Sequence, residues 1–165
     1  MDCSIDQVMR LLKSCNFLKV VYTYGVWDLI HPGHIRLLER AKALGDVLIV
    51  GTVTDAPVRE LKGQDRPVQT FEDRSFIVGS LKCVDFAIRQ SDYDPTFELK
   101  YLVERGVHID IITKGDDWEK IPGSEYIESI GGRLVKLSYS KEWSTSRIVE
   151  KISGKPVEKF GEPKL

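Results

Sequence analysis

Short apolar runs alternate along the chain with amphipathic stretches. Five of these runs are rich in β-branched and other apolar residues and have the length of buried strands. They are Leu18 to Thr23, Asp46 to Val53, Val84 to Ile88, Ile109 to Thr113 and Arg133 to Leu137. Strands that alternate with helices predict a parallel sheet with crossover helices. We therefore expect an α/β fold, a single Rossmann-like doubly wound domain with a five-stranded, mostly parallel sheet.

Helical periodicity and capping residues indicate where several helices begin. The candidates are an N-terminal helix to about Ser14 with a capping box at Ser4 and Gln7, a helix over Ile35 to Leu44, a helix to about Lys82 with a capping box at Thr70 and Asp73, and a last helix over Thr145 to Ile152 with Ser144 as its N-cap. No internal repeat divides the chain. We expect an N-terminal helix in residues 1–17, one domain over 18–153 and a C-terminal tail over 154–165, which is rich in Gly, Pro and Lys.

Composition narrows the class of protein. A chain of 165 residues is about one domain, and it can fold without disulfides or metal. Its net charge of −1 argues against a nucleic-acid or membrane surface. Cys3, Cys15 and Cys83 lack metal-ligand spacing, which favours reduced thiols in a cytoplasmic protein. Asp2 and Asp6 stand where a secretory signal would carry basic residues, so a cytoplasmic location is the expectation.

The motif HPGH, His31 to His34, follows the first predicted strand and opens the helix after it. Unpaired backbone N–H groups at a helix N-terminus favour an anion. Pro32 suits the first helical turn, and Gly33 lets a phosphate approach the backbone. His31 and His34 are three residues apart on one helical face, so both imidazoles can contact the same polyphosphate. Because two of the chain's three histidines flank this Pro-Gly, we interpret the motif as a nucleotide-phosphate site.

Longer segments carry a resemblance to a known family. The chain resembles the cytidylyltransferase-like family of α/β nucleotidyltransferases with an HxGH signature, over about Val20 to Ile152. TYGVWDLIHPGHIRLLERAKALGD and GDDWE are similar to the glycerol-3-phosphate cytidylyltransferases, and the late STSxI is shared with the choline-phosphate and ethanolamine-phosphate enzymes. LKGQDRPVQTFEDR, KGDDW and GSEYIESIGG resemble the adenylyltransferases that make ADP-heptose.

The resemblance implies transfer of a nucleoside monophosphate, in which a phosphomonoester oxygen attacks the α-phosphorus of a nucleoside triphosphate and pyrophosphate leaves. The acceptor phosphate is already anionic at pH 7, so no Ser, Cys or His nucleophile is needed. The reaction depends instead on in-line positioning and on positive charge around the phosphates. The expected cofactor is Mg²⁺ carried with the nucleoside triphosphate.

Family position implies a catalytic set of His31, His34, Lys62 and Arg74. Lys62, in a Gly-flanked loop, would reach the α-phosphate or the acceptor phosphate, and as a bare lysine it is equally a solvated loop residue. Arg74 follows Glu72 and Asp73, so a surface ion pair is the alternative to phosphate binding.

The resemblance also implies a nucleotide-binding set. Its members are Thr23, Tyr24, Gly25, Trp27, Asp28, Gly33, Lys114, Gly115, Asp117, Trp118, Ser144 and Thr145. Ser144 and Thr145 would present hydroxyls and backbone N–H groups to the β- and γ-phosphates. One departure is that Tyr139 occupies the family's arginine position, with Lys141 and Arg147 as the nearest substitutes.

Acidic and aromatic residues near the predicted strand ends keep two interpretations each. Asp28 and Asp55, with Lys62, form the expected acceptor-binding set, and Asp28 is either a Mg²⁺ contact or a turn former. Asp117 would accept from the exocyclic amine of the base. Trp118 either stacks on the nucleoside or covers the core, and His108 is interpreted as structural.

Taken together, these features predict CMP transfer from CTP to a small phosphomonoester: a polyol, amino alcohol or sugar phosphate. The alternative within the class is ATP with a sugar 1-phosphate of the heptose type. The alternative of another class is a non-catalytic nucleotide sensor or subunit on the same fold. The expected partners are therefore CTP or ATP and the acceptor, without nucleic acid or membrane, and the resemblance implies a homodimer.

Overall fold

The computed structural model describes residues 10, 12, 17–115, 118–138 and 142–157. Within these residues five strands alternate with six helices, as the apolar pattern predicts. The elements are β1 (Val20–Gly25), α1 (Pro32–Lys42), β2 (Val47–Val53), α2 (Asp55–Lys62), α3 (Phe71–Gly79), β3 (Phe86–Gln90), α4 (Thr96–Glu104), β4 (Ile111–Gly115), α5 (Ser124–Ser129), β5 (Arg133–Leu137) and α6 (Thr145–Ser153). The predicted N-terminal helix, except for residues 10 and 12, and residues 158–165 of the predicted tail lie outside the described residues.

The five strands form one sheet in the order β3-β2-β1-β4-β5, and every pair is parallel. Val20 pairs with Val47 on one side of β1, and Val21 pairs with Ile111 on the other. The chain therefore builds outward from β1 to β3 and then crosses back to place β4 beside β1. This reversal confirms a Rossmann-like α/β domain and places the topological switch point between β1 and β4.

Two apolar layers hold the sheet between its helices. Alternate residues of β1 face opposite layers, so Tyr22 packs with α4 and α5 residues such as Leu99 and Ile127. Val21 packs on the other face with Leu38 of α1 and Val78 of α3. Within the described residues, no helix is both long and apolar enough to cross a membrane.

Three strands begin and end about two residues later than the apolar runs suggest. At the start of β1, aspartate side chains accept the backbone N–H hydrogen bonds that a neighbouring strand would otherwise accept. Asp46 accepts from the Lys19 N–H, and Asp110 accepts from the Val20 N–H. At its end, Tyr24 and Gly25 remain paired with Gly51 and Thr52 of β2. The strand end is the part of the sheet that positions the site.

Candidate functional site

A pocket of about 210 Å³ opens beyond the carboxyl ends of the strands, around the switch point between β1 and β4. Half of its lining residues come from loops that follow strands and from the start of α6, and the other half from β1, β4, α1, α2 and the loop after α2. The lining residues are Tyr24, Gly25, Val26, Trp27, Asp28, His34, Leu37, Lys62, Arg66, Tyr93, Lys114, Gly115, Trp118, Ser144, Thr145 and Ser146.

The loop between β1 and α1 forms one wall and contains unusual backbone. Trp27 and Leu29 have φ of 57° and 47°, in the left-handed region that side chains with a Cβ seldom adopt. The Trp27 indole N–H donates to the Gly51 carbonyl at 3.0 Å, and the Leu29 N–H donates to Gln69 Oε1 at 2.9 Å. A Cβ on Gly25 would lie 3.0 Å from the Trp27 ring, so this glycine lets the indole fold back over the strand.

The HPGH motif begins α1 as predicted. His31 is the N-cap, and its Nδ1 accepts a long hydrogen bond of 3.4 Å from the His34 N–H. The two imidazoles stack with ring centroids 3.8 Å apart. Trp27 meets the His34 ring edge-on at 5.4 Å. The two histidines lie on one face of α1, as predicted, but only His34 lines the pocket, and His31 packs behind it.

Both histidines are buried and uncharged at neutral pH. Burial, together with the positive charges of Lys62 and Lys114 and the neighbouring His31, lowers the pKa of His34 to about 3. Burial also lowers the pKa of His31. His31 Nε2 and His34 Nδ1 make no hydrogen bond within the described part of the chain. The pair therefore offers unused polar ring atoms rather than positive charge.

The N-terminus of α6 reaches the same pocket. Ser144 is its N-cap and accepts from the Arg147 N–H at 3.2 Å, as the sequence predicts. The Thr145 hydroxyl donates to the Asp28 carbonyl at 2.8 Å, which joins α6 to the β1–α1 loop. A Cβ on Gly33 would lie 3.1 Å from the Trp143 Cβ, so this glycine allows the segment before α6 to approach α1. Two helix N-termini thus meet at one pocket.

The Asp28 carboxylate organises the loop opposite α6. It is 2% exposed and accepts from Arg66 Nε at 3.3 Å and Nη2 at 3.1 Å. It also accepts from the N–H groups of Val68 and Gln69 at 3.0 Å each. Asp28 is therefore more than a turn former, since it ties the β1–α1 loop to residues 66–69.

Arg74 lies beneath the pocket and not on its surface. It is fully buried, and its guanidinium donates to the carbonyls of Val26, Val53 and Gln69 and to Asp55 Oδ1 at 2.6 Å. The interpretation of Arg74 as half of a surface ion pair with Glu72 or Asp73 is wrong, because its partner is Asp55. Neither Arg74 nor Asp55 lines the pocket.

Two lysines line the pocket from opposite sides of β1. Lys62 is the last residue of α2, so the prediction that it lies in a loop is wrong, although the loop begins at the next residue with Gly63 at φ 86°. Lys114, at the end of β4, is 8% exposed and donates to the Tyr24 carbonyl at 3.2 Å. Its ammonium lies 4.3 Å from the Tyr24 ring centroid and 4.5 Å from that of Trp118.

The remaining predicted residues divide between the pocket and the core. Trp118 lines the pocket and packs against the core, so the core interpretation is confirmed and stacking on a nucleoside stays a prediction. Thr23 is fully buried in β1 and does not line the pocket. Asp117 lies outside the described residues, as do Tyr139 and Lys141. Arg147 donates to the Glu142 carbonyl and does not line the pocket.

His108 lies away from the pocket, as expected for a histidine without a role there. Its side chain is 67% exposed and pairs with Asp110 at 3.4 Å.

Arg66 and Tyr93 line the pocket although sequence reasoning did not select them. Arg66 stands in the LKGQDRPV segment that carries the resemblance, which is a signal that could have found it. Tyr93 follows β3 by three residues, and residues that follow parallel strands face the ligand side of such a sheet. Each of the two belongs to the β2–β3 side of the pocket.

The described residues do not form a magnesium site of their own. No group of three or more His, Cys, Asp or Glu side chains among them is arranged to hold a metal ion. The carboxylate expected to contact Mg²⁺, Asp28, already accepts from Arg66 and two backbone N–H groups.

Comparisons with known proteins identify the family to which the chain belongs. The sequence model of the cytidylyltransferase-like family matches residues 22–154. The bifunctional protein HldE of Citrifermentans bemidjiense is 42% identical over 136 residues, which cover 81% of this chain and 27% of that protein. HldE of Wolinella succinogenes is 37% identical over 155 residues, which cover 92% of this chain and 31% of that protein. The chain spans less than a third of the length of these relatives.

Solved structures share the architecture. A lipopolysaccharide core biosynthesis protein from Thermoplasma volcanium superposes with a TM-score of 0.61 at 30% identity, over 75% of this chain and 99% of that one. A pantoate-beta-alanine ligase from Francisella tularensis gives 0.53 at 15% identity, over 93% of this chain and 77% of that one, which shows the fold alone. With the family match over most of its length, the chain belongs to the cytidylyltransferase-like family of nucleotidyltransferases.

Proposed function

We propose that the protein transfers AMP from ATP to a sugar 1-phosphate of the heptose type and releases pyrophosphate. The relatives named HldE support this choice, because we take them to be the ADP-heptose-forming proteins that LKGQDRPVQTFEDR and GSEYIESIGG resemble. The similarity to a lipopolysaccharide core biosynthesis protein also favours a sugar acceptor. The expectation of CMP transfer from CTP is therefore replaced by its ATP alternative.

The single observation that carries the proposal is the meeting of two helix N-termini at one pocket with three cationic side chains. His34 in the first turn of α1 and Ser144, Thr145 and Ser146 at the start of α6 line the pocket, so a polyphosphate there would lie near the positive ends of two helix dipoles. Lys62, Arg66 and Lys114 line the same pocket, and Asp28 is the acid among its described lining residues. This charge balance favours an anionic ligand.

The proposed reaction needs no proton transfer to begin. A deprotonated oxygen of the acceptor phosphate attacks the α-phosphorus of ATP and forms the new P–O bond. The bond between the α-phosphorus and its bridging oxygen to the β-phosphorus breaks, and the electron pair leaves on pyrophosphate. The protein groups hold the two anions in line and stabilise the charge that moves onto the leaving group.

Because His34 is buried in the pocket wall and neutral, it can stabilise the leaving group as a hydrogen-bond donor. One ring nitrogen of a neutral imidazole carries a proton, and a donor placed at a developing charge contributes about 3 kcal/mol to the transition state. Lys62 at the end of α2 and Lys114 at the end of β4 flank the reacting phosphates from the two sides of β1. Magnesium, in this proposal, arrives with the triphosphate.

The test is pyrophosphate release with ATP and with CTP, each with Mg²⁺, against heptose and hexose 1-phosphates, glycerol 3-phosphate, and choline and ethanolamine phosphates. We expect release with ATP and a heptose 1-phosphate, and none above background with CTP. Release with CTP and a polyol or amino-alcohol phosphate would contradict the nucleotide and the acceptor together. Binding of ATP without turnover on any acceptor would favour the sensor alternative.

A further inference from the structure

Two hydrogen-bond donors on the β2–β3 side of the pocket have no acceptor among the described residues. Arg66 uses Nε and Nη2 on Asp28 Oδ2, and its Nη1 makes no hydrogen bond with the described residues. Tyr93 is 6% exposed, and its hydroxyl also has no partner in the described part of the chain. A buried polar group without a partner costs free energy that a ligand oxygen can recover.

The Tyr93 hydroxyl stays protonated and lies in a positive field. Burial raises its pKa to about 12, although the guanidinium groups of Arg74 and Arg66 act to lower it. Arg74 donates to three carbonyls and to Asp55. It therefore adds to the positive electrostatic potential at Tyr93 without donating a hydrogen bond to a ligand. Arg66 and Tyr93 each keep a donor that no described residue accepts, so both can donate directly to an anion.

Their position separates them from the groups assigned to the triphosphate. Tyr93 follows β3, and Arg66 lies in the loop after α2, so both belong to the side of the sheet beyond β2. The starts of α1 and α6 and Lys114 lie around β1 and β4. Transfer between two phosphate compounds needs two anion positions in one pocket, and the described lining offers one on each side.

We propose that Arg66 Nη1 and the Tyr93 hydroxyl hold the phosphate of the acceptor, a phosphomonoester dianion, while Asp28 positions the Arg66 guanidinium. This inference rests on the proposed function, since it assigns the second substrate of the same site. The Tyr93 hydroxyl is buried in the free protein, so acceptor binding requires a shift of the Tyr93 side chain or of the residues that cover it.

Tyr93→Phe tests the inference with little risk to folding. The substitution removes a hydroxyl that has no partner in the described residues, so the free protein should unfold at the same temperature or a higher one. A hydrogen bond to a charged oxygen should be lost, which we expect to weaken acceptor binding about tenfold. Thr52→Val is the matched control. It also removes a buried hydroxyl that makes no hydrogen bond with the described residues, and Thr52 does not line the pocket.

Calorimetric titration with inorganic phosphate and with glucose 1-phosphate measures the acceptor position directly. The protein is first saturated with α,β-methylene ATP and Mg²⁺, which fills the triphosphate position without turnover. We expect both probes to bind, with affinity reduced about tenfold in Tyr93→Phe and unchanged in Thr52→Val. Affinity for α,β-methylene ATP should be the same in all three proteins.

The outcomes separate the inference from the proposed function. Equal probe affinity in Tyr93→Phe and the parent protein would overturn the inference, and so would no probe binding or a loss of nucleotide affinity in Tyr93→Phe. Turnover with ATP then judges the proposed function on its own, since a protein without turnover can still show Tyr93-dependent phosphate binding. Where turnover is measured, the acceptor KM should rise in Tyr93→Phe while the ATP KM stays constant.

Discussion

At the scale of a single residue, His34 combines three properties that support the donor role proposed for it. It lies in the first turn of α1, it is 8% exposed, and burial with nearby positive charge lowers its pKa to about 3. A neutral imidazole in such a place donates one hydrogen bond without the cost of a buried charge. We therefore expect His34 to act through one oriented hydrogen bond and not through positive charge.

Replacing His34 by alanine should reduce turnover by about 10²- to 10³-fold, the usual loss of one transition-state donor. The measurement is kcat from pyrophosphate release, with the melting temperature recorded beside it. His108→Ala is the matched control, since that side chain is 67% exposed and lies away from the pocket. A His34→Ala protein that keeps full turnover and fold would contradict a role for this histidine in the reaction.

The same burial predicts a pH dependence of stability. Burial lowers the pKa of His34 in the folded protein to about 3, below the ordinary value of 6.5. Between pH 3 and 6.5 the histidine is therefore protonated in the unfolded chain and neutral in the folded protein. Stability is thus fully present above pH 6.5 and falls as the pH drops toward 3, by about 1.4 kcal/mol per pH unit for one proton. Urea unfolding across this range should show a shallower fall for His34→Gln than for the parent. Equal slopes in both proteins would show that His34 is not the group responsible.

Local pattern was enough to predict some site residues and not others. His31, His34 and Ser144 follow from capping and spacing within a few residues, and the structure places them at helix starts. Asp28 and Arg66 pair over a separation of 38 residues, which no local pattern reveals. Family position predicted phosphate binding by Arg74, with a surface ion pair as the alternative, whereas tertiary packing buries its side chain completely.

At the scale of elements, Arg74 is the junction beneath the site. From α3 it reaches the carbonyl of Val26 after β1, that of Val53 at the end of β2, and Asp55 at the start of α2. A planar guanidinium with five donors can serve all of these at once, and an ammonium cannot. Arg74 therefore holds the strand ends that carry the pocket.

Arg74→Lys should lower the free energy of unfolding by about 3 kcal/mol or more, because it leaves buried carbonyls and Asp55 poorly paired. Arg59→Lys is the matched control, since Arg59 also pairs with Asp55 but is 46% exposed, and it should cost less than about 0.5 kcal/mol. Urea unfolding measures both. A stable Arg74→Lys protein with a raised KM for ATP would instead support direct phosphate binding by Arg74.

Sequence predicted the strands better than the helices, and capping explains the difference. The helices with recognised starts, α1, α3 and α6, have side-chain N-caps at His31, Thr70 and Ser144. The sequence did not predict the starts of α2, α4 and α5. These three helices begin without a side-chain hydrogen bond at the N-cap. β1, β2 and β4 are buried along their length and therefore leave apolar runs in the sequence. β5 is mostly exposed or half-buried, and its short run RLVKL was enough to predict it.

At the scale of the whole molecule, the sheet order is consistent with the two anion positions proposed above. Crossing back from β3 to β4 opens the crevice beside β1, and the proposed acceptor position lies on the β2–β3 side. The relatives named HldE are more than three times as long as the matched region, so the activity of a longer protein is a proposal here. The homodimer stays a prediction from the resemblance, to be measured by light scattering.

The most direct test of adenylyl transfer is the phosphorus NMR spectrum of the protein incubated with a heptose 1-phosphate, Mg²⁺ and either ATP or CTP. With ATP we predict loss of the sugar phosphate signal and the appearance of two coupled diphosphate resonances together with pyrophosphate. The same mixture with CTP should remain unchanged. Coupled resonances with CTP and none with ATP would contradict the central claim.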